Sequence, residues 1–374
     1  MRLALHIALV LTGGALVIES LLSAVRSTIL PRGVQSRLSR FVFVSVRVVF
    51  RLRIGRSPSY ERRDRVMAMY GPVALLSLLA VWYVFLIVGY TLIFVGVGVT
   101  HIGAAFRLSG SAVTTLGTSA SPQLAPSILS YTEAGLGLLL LTLLITYLPT
   151  IYAAFSDREA AVTQLEVRAG TPPTAPTMLI RFYRIGLTGL TELWQQWEVW
   201  FAAIEESHTS FPVLPFFRSP QPEKSWVTAG GTMLDGASLW VSTIEHPPDP
   251  EAQLCIRAGF VCLRRLADFF RLPYDPDPSP GDPITISRSE FDEACRAMAE
   301  AGLPLKADLD AAWKSFAGWR VNYDSILLNL ARMVEAPIAP WTSDRTPIIA
   351  WTLKGSIRGH TRDARRWPRR ARQT

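Results

Sequence analysis

The sequence predicts an all-α membrane protein: three transmembrane helices, a re-entrant pore loop between the second and third, and an all-α cytoplasmic domain. Three observations predict this class. Tyr70–Val99 runs for 30 residues without a charge, and two further apolar runs of 22 residues each, Leu3–Ala24 and Ala134–Phe155, lie on either side of it. Between the last two runs sits a half-length apolar segment that ends in Thr114-Thr115-Leu116-Gly117. From Ser156 onward, helical patterns alternate with Pro-rich breaks such as HPPDP and PYDPDPSPGDP, with no convincing strand signal. The organisation that follows has four segments: 1–66, a transmembrane helix and a basic interfacial elbow; 67–160, the pore module; 161–352, the cytoplasmic helical domain; and 353–374, a disordered basic tail.

Leu3–Ala24 rises about 33 Å as a helix, enough to cross a hydrocarbon core of about 30 Å. A signal peptide is the rival reading, because LLSA resembles a cleavage site. Cleavage there would leave the arginine-rich segment that follows on the outer face, against the positive-inside rule, so a retained helix is preferred. The net charge of +8 is concentrated: Val25–Val66 carries 11 Arg against Glu61 and Asp64, and Lys354–Thr374 carries seven Arg and one Lys against one Asp. The remainder of the chain is therefore acidic, which argues against a nucleic-acid partner and suits two collars against anionic lipid.

Within the elbow, Arg26–Arg65, the run RFVFVSVRVVFRLR has too few apolar residues to span. Arg37, Arg40, Arg47 and Arg51 fall at helical spacing, which predicts an interfacial amphipathic helix with Phe and Val toward lipid. Its β-branched residues also allow a strand. Tyr70–Val99 is longer than a bilayer needs and should tilt or project. With the elbow inside, the amino terminus lies outside, His101–Thr132 is outside or re-entrant, and Ser156 onward is cytoplasmic. Cytoplasmic helices are expected to Arg168, then at 178–208, 225–243, 251–271, 287–301 and 306–335, with a Pro/Thr-rich linker at 169–177. Ser287 with Glu290 makes a capping box, and Gly302 a stop. Cys255, Cys262 and Cys295 fit neither a zinc site nor a disulfide framework and read as reduced core thiols.

The chemistry of the loop points to ions. A backbone at membrane depth must be buried in protein or face a watery path, and carbonyls of a narrow loop can replace an ion's water shell. Thr114, Thr115, Leu116, Gly117, Thr118 and Ser119 are the candidate selectivity filter, with Gly117 free to take φ > 0. A short helix before it, roughly Ala104–Val113, would aim its carboxyl end at a cation. Thr142, Thr146 and Thr150 recur every four residues on one face of the third span and are candidate pore-lining residues. The alternative is that their hydroxyls bond back to the i−4 carbonyls or across a helix interface. Pro149 is either a gate hinge or a bend that fits the bundle. Gly135 and Gly137 would allow close approach to the short helix. Glu133 is placed at an outer mouth, where Arg107 and His101 oppose its field.

Residues 106–170 resemble the bacterial pore-loop ion channels described as potassium-channel-like, with a cytoplasmic helical domain. The resemblance rests on SGSAVTTLG (109–117), EAGLGLLLLTLLITYLPTIYAAFS (133–156) and RAGTPP (168–173). STILPRG (27–33), WEVWFAAIEESHTSFPVL (197–214) and FRSPQPEKSW (217–226) are similar to the same family. It implies a homo-oligomer around one axis, by analogy a tetramer, in a bacterial cell membrane. It also implies a permeant monovalent cation such as potassium and no other cofactor. The family's filter reads Thr-Leu-Gly-Tyr-Gly-Asp, whereas this chain continues from Gly117 with Thr118, Ser119 and Ala120, which implies weakened potassium selectivity. The other class of function is a non-conducting, membrane-anchored scaffold or sensor acting through the helical domain. His208, beside Glu205 and Glu206, could bind a metal, but a histidine at a helix carboxyl end more commonly meets the last carbonyls. Trp194, Trp197 and Trp200 read as a packing stripe. No Walker loop, GxGxxG, HExxH or GxSxG is present, so an enzyme is not expected.

Overall fold

The computed structural model describes residues 2–29, 36–54, 60–186 and 189–349; the basic tail expected at 353–374, and part of the STILPRG stretch, lie outside the described residues. Among the described residues the regular structure is helical, apart from one isolated antiparallel bridge between Ile244 and Leu305. The chain divides into two compact units, Met1–Phe155 with His208–Phe217, and Ser156–Ser207 with Arg218–Thr374.

The first unit contains α1 (Arg2–Thr28), α2 (Arg37–Ile54), α3 (Tyr60–Ala68), α4 (Tyr70–Gly96), α5 (Ile102–Val113) and the beginning of α6 (Leu124–Ala169). Three stretches are long and apolar enough to cross a membrane: α1, α3 with α4, and α6. Only 28%, 39% and 22% of their apolar windows are buried. The rest of each window is partly or fully exposed in the chain.

Small residues set the α1–α4 packing. A Cβ on Gly13 would lie 2.3 Å from the Gly89 carbonyl oxygen, one on Gly89 would lie 2.8 Å from that of Gly13, and one on Gly96 would lie 2.9 Å from that of His6. Backbones approach this closely only where side chains are absent. Hydroxyls complete the contact: Ser20 donates to the Trp82 carbonyl (3.2 Å), and the Trp82 indole N–H donates to Ser23 (3.1 Å). His6 donates through Nδ1 to the Gly96 carbonyl at 2.9 Å.

The RFVFVSVRVVFRLR run is helical, within α2, so the strand alternative falls. Phe41, Val48 and Leu52 are exposed on one face of α2, as an interfacial helix requires. Arg47 departs from the expected arginine stripe. It is 6% exposed and its guanidinium lies 5.1 Å from the Phe216 ring centre. The aromatic face of Phe216 holds this cation against protein rather than in headgroups.

The second unit is built around α9 (Trp226–Thr243), in which every residue except Val241 is buried. Packed on it are α7 (Ala175–Arg184), α10 (Pro250–Phe270), α12 (Leu309–Arg320) and α13 (Asp324–Val334). The remaining helices are α8 (Leu190–Ser210) and α11 (Arg288–Glu300). Trp194, Trp197 and Trp200 on α8 are all buried, in keeping with a packing stripe, and the three cysteines are buried free thiols.

Two expected helices are each divided. The pattern at 178–208 separates into α7 and α8 beside Gly186 and Gly189, both at positive φ (85° and 79°). The pattern at 306–335 separates into α12 and α13 at Val321–Tyr323. The linker shortens as well. Gly170 takes φ 86° after α6, and Thr174 already caps α7 by accepting from the Thr177 N–H. Ser287 and Glu290 form the full capping box of α11, and Gly302 follows it at φ 91°.

A buried charge network ties α9 to α12 and α13. Arg320, fully buried, donates to Asp235 (2.5 Å), Asp324 (2.8 Å) and the Trp341 carbonyl (2.7 Å). Tyr323 donates to the same Asp235 oxygen at 2.9 Å. Burial acts to lower the Arg320 pKa, and the two carboxylates outweigh it, so the guanidinium is pushed up and stays charged.

Candidate functional site

The half-length helix α5 packs against α4 and meets α6 through Ser109, while tyrosines of α4 bond α6 directly. Ser109, in the middle of α5 and fully buried, donates to the Glu133 carboxylate on α6 and lies 3.2 Å from the Ile87 carbonyl on α4. Tyr83 on α4 donates to the Gly137 carbonyl on α6 at 2.8 Å, and Tyr90 bonds Thr132 at 3.1 Å. At the carboxyl end of α5, a Cβ on Gly137 would lie 2.6 Å from the Val113 carbonyl oxygen. Gly137 is therefore the close-approach glycine; Gly135 has open space around it.

Glu133, expected at an outer mouth, is 0% exposed in the chain, with one carboxylate oxygen on Ser109 and the other without a partner. Helix geometry puts it on the face of α6 that packs against α5, where a hydroxyl of α5 meets it. The sequence signal that could have found this pair is an isolated carboxylate in an apolar run, which needs a polar partner on a neighbouring helix. Ser109 opens the SGSAVTTLG stretch, where nothing local marks it as a partner of Glu133.

The candidate filter begins as a helix ending. Thr114 is the C-cap of α5. Thr115 takes the left-handed conformation (φ 57°) just beyond it. The Thr115 N–H bonds the Ala112 carbonyl (3.0 Å), and the Leu116 N–H bonds the Ser111 carbonyl (3.1 Å). These two bonds are the Schellman closure, in which glycine usually holds the left-handed place. A β-branched threonine there costs about 1–2 kcal/mol. Gly117 is left-handed too (φ 67°), and Ser119 N–H reaches back to the Ser111 hydroxyl at 3.0 Å. Thr114, Thr115, Leu116, Gly117 and Thr118 are all exposed, Leu116 at 69%.

On α6, Thr142, Thr146 and Thr150 share an exposed face. Their hydroxyls donate to the Leu138 (2.9 Å), Thr142 (3.0 Å) and Thr146 (3.2 Å) carbonyls of their own helix. The i−4 back-bonding is thus present on all three threonines, with the stripe exposed in the chain. The helix runs through Pro149 as a single element from Leu124 to Ala169; the proline lacks the N–H that would reach the Ile145 carbonyl and is exposed. His208 is fully buried in the last turn of α8, and Glu205 pairs with Arg265, so the acid–histidine trio is not assembled as a ligand set. Among the described residues no group of three or more His, Cys, Asp or Glu side chains could hold a metal.

No family model, curated protein or solved structure matches the chain.

Proposed function

We propose that the chain is a subunit of an oligomeric cation channel of a cell membrane, by analogy a tetramer, passing monovalent cations with weakened potassium selectivity. The amino terminus lies outside, the helical unit is cytoplasmic, and the basic elbow rests on anionic headgroups. The observation that carries the reading is the α4–α5–α6 hairpin. A 12-residue helix rises only about 18 Å, too short to cross, yet its Ser109 hydroxyl donates to Glu133 on α6 and lies 3.2 Å from the Ile87 carbonyl on α4. Its carboxyl end presents Thr114–Thr118, exposed in one chain, and α6 carries an exposed threonine stripe of its own. One such loop encloses nothing; several around an axis would enclose a path lined by hydroxyls and carbonyls. The test is conductance of purified protein in planar bilayers under a potassium/sodium gradient, alongside mass measurement of the oligomer. Cation currents with little preference between the two ions, altered by Thr146→Val, are the expected result. An intact oligomer with no current at any voltage, pH or lipid composition overturns it.

The second reading is a non-conducting, membrane-anchored scaffold or sensor. The threonine back-bonds and the Schellman closure at Thr115 favour it, since both satisfy polar groups inside the chain without calling on an ion or water. In that case Thr146→Val leaves every membrane readout unchanged.

A further inference from the structure

The second unit contains a cleft of about 290 Å³ between the start of α7, the middle of α9, α11 and the segment that follows α13. That is near the lower end of the range for small-molecule sites, roughly 300 Å³ upward. Its walls are apolar where Ala294, Ala297, Pro340 and Trp341 contribute. Its charged lining is four carboxylates, Asp235, Glu290, Glu293 and Asp344, against one cation, Arg345.

The hydrogen bonds show which of these charges remain available. Arg345 is engaged throughout: Nε and Nη2 donate to Asp344 (both 2.9 Å), Nη2 also to Glu290 (2.7 Å), and Nη1 to the Thr285 carbonyl (2.9 Å). It therefore neutralises Glu290 and Asp344 and has little left for an anionic guest. The amino end of α7 is similarly closed, because Pro176 has no N–H and the Thr177 N–H is capped by Thr174. Two carboxylates keep free capacity. Asp235 is 1% exposed, and both of its hydrogen bonds, from Arg320 and Tyr323, go to Oδ1; Oδ2 carries none among the described residues. Glu293 makes no ion pair among the described residues and stands exposed at the rim. A buried carboxylate oxygen at the base, a free carboxylate at the mouth and an aromatic wall together suit a positive head on an apolar body. Trp341 itself sits at φ 64°, a strained backbone held by the Arg320 bond to its carbonyl, which fixes the wall in place.

We propose that this cleft is a binding site for a small organic cation, a primary ammonium or guanidinium group carried on a short apolar body, with Asp235 Oδ2 and Glu293 as its acceptors and Trp341 as its apolar wall. Such a ligand would give the helical unit a chemical input separate from anything passing through the membrane unit.

The test is isothermal titration of the full-length protein in detergent with benzylamine, phenethylamine and agmatine, with benzyl alcohol and benzoate as neutral and anionic controls. Saturable binding of at least one of the cations at millimolar or lower concentration is expected, with neither control binding. Glu293→Gln should weaken it about tenfold, the loss of one charge-assisted contact, and Ala297→Trp, which fills the cleft from an exposed position, should abolish it. Both positions are exposed, so thermal unfolding of the two variants should match wild type, which keeps a binding loss from being a folding loss. Absence of saturable binding by all three cations, binding of benzoate, or cation binding unchanged in both variants overturns the proposal.

Discussion

Gly137 faces the Val113 carbonyl so closely that a side chain of any size would collide with it, a Cβ lying 2.6 Å from the oxygen. The contact closes the α4–α5–α6 hairpin at the end of α5 from which the exposed loop departs. Because the obstacle is backbone, α5 or α6 must shift to admit a side chain. Gly137→Val should destabilise the membrane unit by about 1–3 kcal/mol, the usual cost of overpacking. Gly135→Val, in open space, should leave it nearly unchanged. Thermal unfolding of both variants in the same detergent compares them directly.

Ser109 and Glu133 form a second contact in the same hairpin. Removing the hydroxyl alone leaves a buried carboxylate with no partner. Ser109→Ala should cost about 1–3 kcal/mol, while Ser109→Ala combined with Glu133→Leu, which removes both polar groups, should recover most of that. A double-mutant cycle measures the coupling. Additive effects would mean that the two side chains do not interact.

In the second unit, Arg320 joins Asp235 on α9 to Asp324 on α13. Arg320→Met strands two buried carboxylates and should destabilise by about 3–5 kcal/mol. The triple replacement Arg320→Met, Asp235→Leu, Asp324→Leu should be much milder. Denaturant unfolding followed by tryptophan emission reports this unit, in which Trp240, Trp313 and Trp341 lie.

Glu290 supplies a pH dependence with a definite sign. Burial tends to raise its pKa, but hydrogen bonds from Arg345 and Ser287 outweigh this and hold it at about 2, below its ordinary 4.5. The folded state therefore binds this proton less readily than the unfolded state. The stabilisation is fully present above the unfolded value and is lost as the pH falls from about 4.5 toward about 2. Glu290→Gln should lower the melting temperature at pH 7, and the gap to wild type should close across that acid window. A gap independent of pH would show that the ion pair contributes through packing alone.

The sequence displayed local features well. Apolar runs marked α1, α4 and α6, and α5 appeared within two residues of its expected start because it is a self-contained apolar segment. The capping box of α11 was legible since both partners lie within four residues. Non-local partners were not legible. Nothing near Glu133 names Ser109, 24 positions earlier, and nothing near Asp235 names Arg320, 85 positions later. The division of the 306–335 pattern was also hidden, because Val321-Asn322-Tyr323 contains neither Gly nor Pro and is set by the buried charge network. In the loop, Gly117 announced its positive φ, but Thr115 did not; its left-handed backbone follows from closing α5, a constraint on the helix end rather than on threonine.

The glycine-lined crossing of α1 and α4 makes the two helices depend on each other. Trp82 is fully buried, and its indole N–H ends on Ser23, contributed by a helix synthesised some sixty residues earlier. Apart from α4, the Ser20 hydroxyl loses the Trp82 carbonyl, and apart from α1, the Trp82 N–H loses Ser23. Neither helix keeps its buried polar groups satisfied alone, so the pair stands or falls as one unit.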